Sequence, residues 1–401
     1  MRLLLVGHKT ILALVVGAML SNPPVTAWAG AHDSAVVNVP APTGPYPVGT
    51  FSLRFVDTAR NDPFLHNGSK RELMVRFWYP AVHVAQCTPA EYSSPKVWVY
   101  LSDLTEQPAP QVRTNSCREA PVMAGAHAVI LASHGYTGMF TDYTFLFEDL
   151  ASRGYVVASV AHTYETTAVE FPDGRLLVSL LGSHFTQDTL RTEDPTLLFA
   201  TSVRLRDLRF VASELKRINV SGSPFSGKLD LGRVGILGHS MGGDTATSSM
   251  QQQPGLKAAV VLDPVVLSAV STRGSDKPVL LVSEGREEWS ESECELWSNL
   301  RGPRVAVSFR GAEHRTPSDA VWLGGYLPSL HVETGTMGPE KTIAAIRNYV
   351  AAFFEASLSG KPPGLLLNGL STTYADATVT TGSRPLCVQQ AYSTQETALE
   401  P

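Results

Sequence analysis

The chain of 401 residues is poor in charge: Asp, Glu, Lys and Arg make up 17%, and the formal net charge is only -5. It lacks the basic surplus that marks nucleic-acid binders, so nucleic acid is not an expected partner. Beyond the N-terminus it has no apolar run approaching the ~20 residues that a bilayer span needs. Cysteine is scarce, with only Cys87, Cys117, Cys294 and Cys387. These form no CxxC pair and no Cys/His cluster, which argues against zinc, and no other metal or cofactor is expected. Apolar residues, by contrast, reach 43% of the chain, enough for a large buried core and too many for a disordered one.

The N-terminus carries Met1-Arg2 and His8-Lys9, then an apolar run from Thr10 to Leu20, a Pro23-Pro24 break and Ala27-Trp28-Ala29. A basic start, a short apolar stretch and small residues at the two cleavage positions predict a signal peptide over 1–29. The mature chain then begins near Gly30 and is expected to be soluble, secreted or periplasmic. Four cysteines in an exported chain favour disulfides, with buried free thiols as the alternative. Cys87 and Cys117 bracket one Pro-rich insertion, which favours pairing 87–117 and 294–387 among the three possibilities.

Two strands are expected first, Phe51–Asp57 and Arg71–Tyr79, joined without a helix and therefore forming an antiparallel edge. Residues 80–126 hold several prolines and no sustained period, and read as an excursion over the surface. Strands and helices then alternate. The strands are Ala128–Ser133, Tyr155–Ala161, Arg233–Leu237, Ala258–Leu262, Pro278–Ser283 and Arg304–Phe309. The helices are Tyr143–Arg153, Leu197–Ile218, Met241–Gln252, Glu291–Leu300 and Lys341–Leu358. Such alternation predicts an α/β fold with a mostly parallel central sheet and helices on both faces. One domain is expected over 30–401, with a core about 44–358 and a loosely held tail from about 360.

Gly238-His239-Ser240-Met241-Gly242 fits G-x-S-x-G between a predicted strand and a predicted helix. That turn exposes a serine hydroxyl above the sheet near the positive end of the helix, so Ser240 is the candidate nucleophile. An acid and a histidine should follow in that order. Asp263 ends the next strand and is the favoured acid; Glu284, ending the strand after it, is the alternative. His314, after the last strand, is the candidate general base. His134 and His162 are worse placed; His127, His184 and His331 suit surface or structural roles. His239 is expected to be fixed by the elbow and to point away. Ser133–Gly138 (SHGYTG) offers a glycine-rich turn, and the backbone amides of Tyr136 and Met241 are candidate oxyanion donors. Trp322 and Leu323, after His314, either close a substrate pocket or pack in the core.

Together PYPVGT (Pro45–Thr50), RFWYPA (Arg76–Ala81), SHGYTG, EDLASRGYVVASVAH (Glu148–His162), GHSMGG (Gly238–Gly243), VLDP (Val261–Pro264) and GAEH (Gly311–His314) resemble the platelet-activating factor acetylhydrolase family, in its plasma and type II branch. The resemblance runs from about Gly44 to Leu358. It implies an α/β-hydrolase fold, with Ser240, Asp263 and His314 as triad and Tyr136 and Met241 as oxyanion donors. It also implies metal-independent hydrolysis of short or oxidised acyl groups at the second glycerol carbon of phospholipids, with transient contact with a lipid surface. The 80–126 excursion departs from the vertebrate pattern, and the family's lipoprotein-binding helices are not identifiable. A broad carboxylesterase and a polyester hydrolase therefore remain alternative readings, as does an inactive binding protein on the same fold.

Overall fold

Val129, Ile130, Leu131 and Ala132 are apolar at four successive positions. Consecutive side chains of a strand face opposite ways, so such a run is satisfied only by cover on both faces. The computed structural model supplies that cover. It describes residues 36–181, 194–220, 222–267, 272–285, 288–326, 334–382 and 387. The predicted signal segment and the start near Gly30 lie outside these residues, as do His184 and His331. All the described residues belong to one compact unit, Ser34–Pro401.

The early strands are β1 (Val36–Asn38), β2 (Val48–Asn61), β3 (Lys70–Pro80), β4 (Pro89–Glu91) and β5 (Gln111–Arg118). Then come β6 (His127–Ser133), β7 (Val156–Ala161), β8 (Ala168–Glu170), β9 (Leu176–Val178) and β10 (Leu229–His239). The last four are β11 (Leu256–Leu262), β12 (Val279–Glu284), β13 (Arg304–Phe309) and β14 (Ala377–Thr380). Twelve of them form one sheet in the order β1-β5-β2-β3-β7-β6-β10-β11-β12-β13-β14, with β4 beside β5. Pairing is parallel from β7 through β13, antiparallel at β2–β3 and β3–β7, and antiparallel again at β13–β14.

The helices are α1 (Pro95–Thr105), α2 (Thr144–Ser152), α3 (Pro195–Val220), α4 (Met241–Gln252), α5 (Glu291–Asn299), α6 (Ala320–Leu323) and α7 (Pro339–Ser359). Ile130, Ala132, Val260 and Leu262 meet α2 and α7 on one face of the sheet. Val129, Leu131, Ala259 and Val261 meet α3, α4 and α5 on the other. Each strand thus divides its residues between two cores. Phe147 of α2 sets its ring 5.1 Å from that of Trp78 on β3; truncating it to alanine would cost roughly 3–5 kcal/mol. Among the described residues no helix is long and apolar enough to cross a membrane.

Three expectations need correction. The 80–126 segment is not a surface excursion alone: it contributes β4, α1 and β5, and β5 pairs parallel to both β1 and β2. The β2–β3 pair is antiparallel as expected but lies inside the sheet, not at its edge. The reason is chemical. The buried residues of β5 are Thr114 and Ser116, and Ser116 donates to the buried carboxylate of Glu148, so hydrophobic alternation could not reveal the strand. The tail from 360 is likewise not loose throughout: it returns as β14 against β13. Cys87–Cys117 and Cys294–Cys387 are disulfides, the second tying the tail to α5.

Candidate active site

The turn from β10 into α4 is dictated by its glycines. A side chain at Gly238 would place its Cβ 1.9 Å from the carbonyl oxygen of Gly242, and one at Gly242 would meet the Ser133 carbonyl at 2.2 Å. With both positions bare, strand and helix close tightly, and Ser240 between them is held at φ 55° and ψ -123°. Such backbone costs an L-residue about 1–3 kcal/mol and persists only because the surroundings fix it. Ser240 is also the residue that opens α4, next to backbone N–H groups that have no acceptor within the helix.

The structure brings Ser240, His314 and Asp263 together from three loops at the C-terminal edge of the sheet. His314 Nε2 lies 3.0 Å from Ser240 Oγ, and His314 Nδ1 lies 2.5 Å from Asp263 Oδ2. A carboxylate can only accept, so Nδ1 carries the proton and Nε2 is left to accept from the serine. Asp263 is held in turn: its Oδ1 accepts the backbone N–H of Glu284 at 3.0 Å. Glu284, the alternative acid, thus meets this chain of contacts through its main chain, bonded to Asp263.

His239 does not simply point away. Its Nε2–H donates to the His314 carbonyl at 2.7 Å, its Nδ1 accepts the Tyr143 hydroxyl at 2.8 Å, and its ring lies 4.8 Å from that of His314. Burial, with His314 second, pulls its pKa down to about 3, so it stays neutral. His127 bonds the carbonyls of Met123 and Gly154. His134, within the SHGYTG turn, and His162 are both buried.

A cleft of about 580 Å³ opens over Ser240 and His314. Its walls include Trp98, Leu101 and Leu104 from α1, Tyr136 from the SHGYTG turn and Leu323 from α6. The segment expected to be surface therefore builds one side of the site. Trp322 does not line this cleft; it is buried in the core and its indole N–H donates to Asp319 at 2.9 Å. Among the described residues no group of three or more His, Cys, Asp or Glu is arranged to hold a metal ion.

The family model for platelet-activating factor acetylhydrolase, isoform II, matches residues 31–172, and the PET hydrolase-like model matches 184–287. The chain is 25% identical to a probable 1-alkyl-2-acetylglycerophosphocholine esterase of Arthroderma benhamiae, over 93% of this chain and 99% of that protein. It is 21% identical to the platelet-activating factor acetylhydrolase of Gallus gallus, over 59% of this chain and 63% of that one. Among solved structures, a ferulic acid esterase from Streptomyces cinnamoneus superposes with a TM-score of 0.72 at 32% identity, covering 86% of this chain and 99% of that one. The chain is a carboxylic ester hydrolase, similar to the platelet-activating factor acetylhydrolases. Within that family match fall β2, β3, the α1 wall of the cleft and the SHGYTG turn, whereas the Ser240 elbow and Asp263 fall in the PET hydrolase-like match.

Sequence reasoning missed some of the polar support of this site. Arg204 and Asp207 sit on the buried stripe of α3, in step with Ala200, Leu208, Val211 and Leu215. Charged residues on an apolar stripe were the available signal, because an unpaired buried charge is too costly to retain.

Proposed function

We propose that the protein hydrolyses carboxylic esters through an acyl-enzyme on Ser240. The observation that carries this reading is the relay Ser240–His314–Asp263 at the floor of an open cleft. His314 Nε2 takes the hydroxyl proton as Ser240 Oγ attacks the ester carbonyl carbon, and the carbonyl electron pair moves onto oxygen. The N–H groups of Tyr136 and Met241 hold that oxyanion. Collapse expels the alcohol, which takes the proton from His314 and leaves the acyl group on Ser240. Water, giving its proton to the same histidine, then releases the acid. Asp263 holds the imidazole in the tautomer this requires.

For substrate we propose short or oxidised acyl esters of phospholipids, as the esterase of Arthroderma benhamiae supports by covering nearly the whole chain. A second reading, esters of bulky aromatic acids, is supported by the 32% identity to a ferulic acid esterase and by the aromatic side chains of Tyr136 and Trp98 at the cleft. A panel of p-nitrophenyl acetate to laurate, methyl ferulate and a phospholipid with a short second acyl chain separates them. The first reading expects the phospholipid to give the highest kcat/KM; a ferulate preference would replace it with the second. EDTA is expected to leave every rate unchanged. We also propose export by a cleaved signal over 1–29, supported by two disulfides that suit an oxidising compartment. N-terminal sequencing of the purified protein tests it, and a mature chain retaining Met1 would refute it.

A further inference from the structure

Behind the SHGYTG turn lies a buried guanidinium. Arg204, on α3, is fully buried, and its Nη1 and Nη2 donate to the carbonyls of His134 and Gly135, the latter at 3.0 Å. Its Nε donates to Glu165 Oε2 at 2.7 Å, and Glu165 is buried as completely. These two carbonyls belong to the peptides on either side of Gly135. The second of those peptides, Gly135–Tyr136, is the one whose N–H is the proposed oxyanion donor.

A trans peptide is planar, with C=O and N–H on opposite sides. Fixing the Gly135 carbonyl toward Arg204 therefore turns the Tyr136 N–H the other way, toward the cleft. A second donor reinforces it. His134 Nε2 accepts the backbone N–H of His162 at 3.4 Å, so its proton is on Nδ1, which donates to the same Gly135 oxygen at 2.8 Å. Burial, with Arg204 second, holds the His134 pKa well below its usual value, so no second charge competes with the guanidinium. The turn also lies in contact distance of the nucleophile: a Cβ on Gly135 would sit 3.5 Å from the Ser240 Cβ. Donors on a carbonyl polarise the whole peptide, which strengthens its N–H as a donor.

From this geometry we infer that Arg204, charge-balanced by Glu165, is a positioning residue of the oxyanion hole, clamping and polarising the peptide that presents the Tyr136 N–H. The inference rests on the serine-esterase reading above and deepens it. It gives a buried ion pair far from solvent a role in the chemical step, because the oxyanion exists only once Ser240 has attacked.

The test compares hydrolysis of p-nitrophenyl acetate by wild type, Arg204→Lys and the double variant Arg204→Met/Glu165→Gln, with melting temperatures alongside. The double variant leaves no unpaired buried charge and is expected to melt within about 5 °C of wild type. Its kcat should fall about 100-fold, the lower end of the cost of losing one oxyanion donor, while KM moves less than about threefold. Affinity for a trifluoromethyl ketone, whose adduct with Ser240 carries an oxyanion, should fall by a similar factor. Arg204→Lys keeps the charge but cannot span two carbonyls, so it should recover only part of the loss. Wild-type kcat in the folded double variant overturns the inference, as does a loss that appears in KM with ketone affinity intact. If the double variant does not fold, Arg204→Lys decides by the same criteria. A wild-type protein that forms no fluorophosphonate adduct at Ser240 would instead sink the serine-esterase reading, which keeps the two failures distinct.

Discussion

The protein contains a second Ser-His-Asp chain, and the cleft does not open onto it. Ser133 Oγ lies 3.0 Å from His162 Nε2, and His162 Nδ1 lies 3.0 Å from Asp207 Oδ2, matching the connectivity at Ser240, His314 and Asp263. The surroundings differ. His162 and Asp207 have no exposed side-chain surface, whereas His314 keeps 16% of its own. Asp207 also holds Arg71 and Arg60, so its carboxylate is committed to fixed cations. Ser133 ends β6 in the sheet, while Ser240 sits in strained backbone at the start of α4. On the proposed reading, a hydrogen-bonded triad is not by itself a nucleophile. Access, a strained serine and nearby backbone donors distinguish the two.

The largest contrast should appear on removing either chain's serine or histidine. Ser240→Ala and His314→Ala are each expected to lower kcat by about 10⁴–10⁶, and the double variant should be little worse because the members act as one unit. Ser133→Ala should cost about 1 kcal/mol of stability, the worth of one buried hydrogen bond. Hydrolysis of p-nitrophenyl acetate and denaturant unfolding check both. A tenth of wild-type activity surviving in Ser240→Ala would remove the distinction between the two chains.

The acids sharpen the comparison next. Asp263→Asn should cost roughly 10⁴ in kcat by misorienting His314, with a far smaller loss in Glu284→Gln. Asp207→Asn is expected to act on folding instead, destabilising by roughly 3–5 kcal/mol because Arg71 and Arg60 lose a buried counter-charge. Urea unfolding beside steady-state kinetics would show the crossing pattern. If both substitutions moved the same observable, the division of roles would be wrong.

How far the two chains could be read in advance follows from their chemistry. Ser240 lies in a glycine pattern that sterics impose, Asp263 ends an apolar strand and His314 follows the last parallel one, so each carries a local mark. The parallel strands were legible for a similar reason, being apolar at nearly every position. Ser133, His162 and Asp207 carry no such mark, since their meaning lies in pairing across three separate elements. The clamp at Arg204 was hidden in the same way. β5 escaped notice because Thr114 and Ser116 face a buried carboxylate instead of an apolar core, and β14 because four residues, Ala377–Thr380, are too few for a period. Trp322 was open between cleft and core, and Asp319 decides it by accepting the indole N–H.

Acid should separate the chains by stability. Burial pulls the His162 pKa down to about 4, with Asp207 pulling the other way. Unfolded histidine titrates near 6.5, so between about pH 6.5 and 4 the unfolded chain takes a proton that the folded chain refuses. The contribution of neutral His162 is thus complete above about pH 6.5 and is lost as pH falls through that window. Unfolding free energies of wild type and His162→Gln, compared across the window, should diverge in slope by up to about 1.4 kcal/mol per pH unit. Parallel slopes would mean that His162 is protonated in the folded protein.

The smallest effect tests access itself, since the cleft over Ser240 is what the buried chain lacks. Leu323 lines that cleft, and its neighbour Trp322 does not. Each methylene that finds cover adds about 0.8 kcal/mol, so kcat/KM should rise with acyl length until the cleft is full and then fall, beyond about eight carbons. Leu323→Ala widens the cleft by roughly three carbon atoms and should move the optimum longer by about two carbons, while costing roughly 2–5 kcal/mol because Leu323 is also buried in the core. Trp322→Ala should leave the optimum in place and instead destabilise by roughly 3–5 kcal/mol, because it empties a core position and strips Asp319 of a donor. Asp319 is already pushed up to about 7 by burial, so losing that donor should raise it further. The panel from p-nitrophenyl acetate to laurate reads the optimum, and thermal melting reads the stability. A longer optimum in Trp322→Ala with Leu323→Ala unmoved would place the acyl chain on the other side of α6, and the cleft described here would not be where the substrate lies.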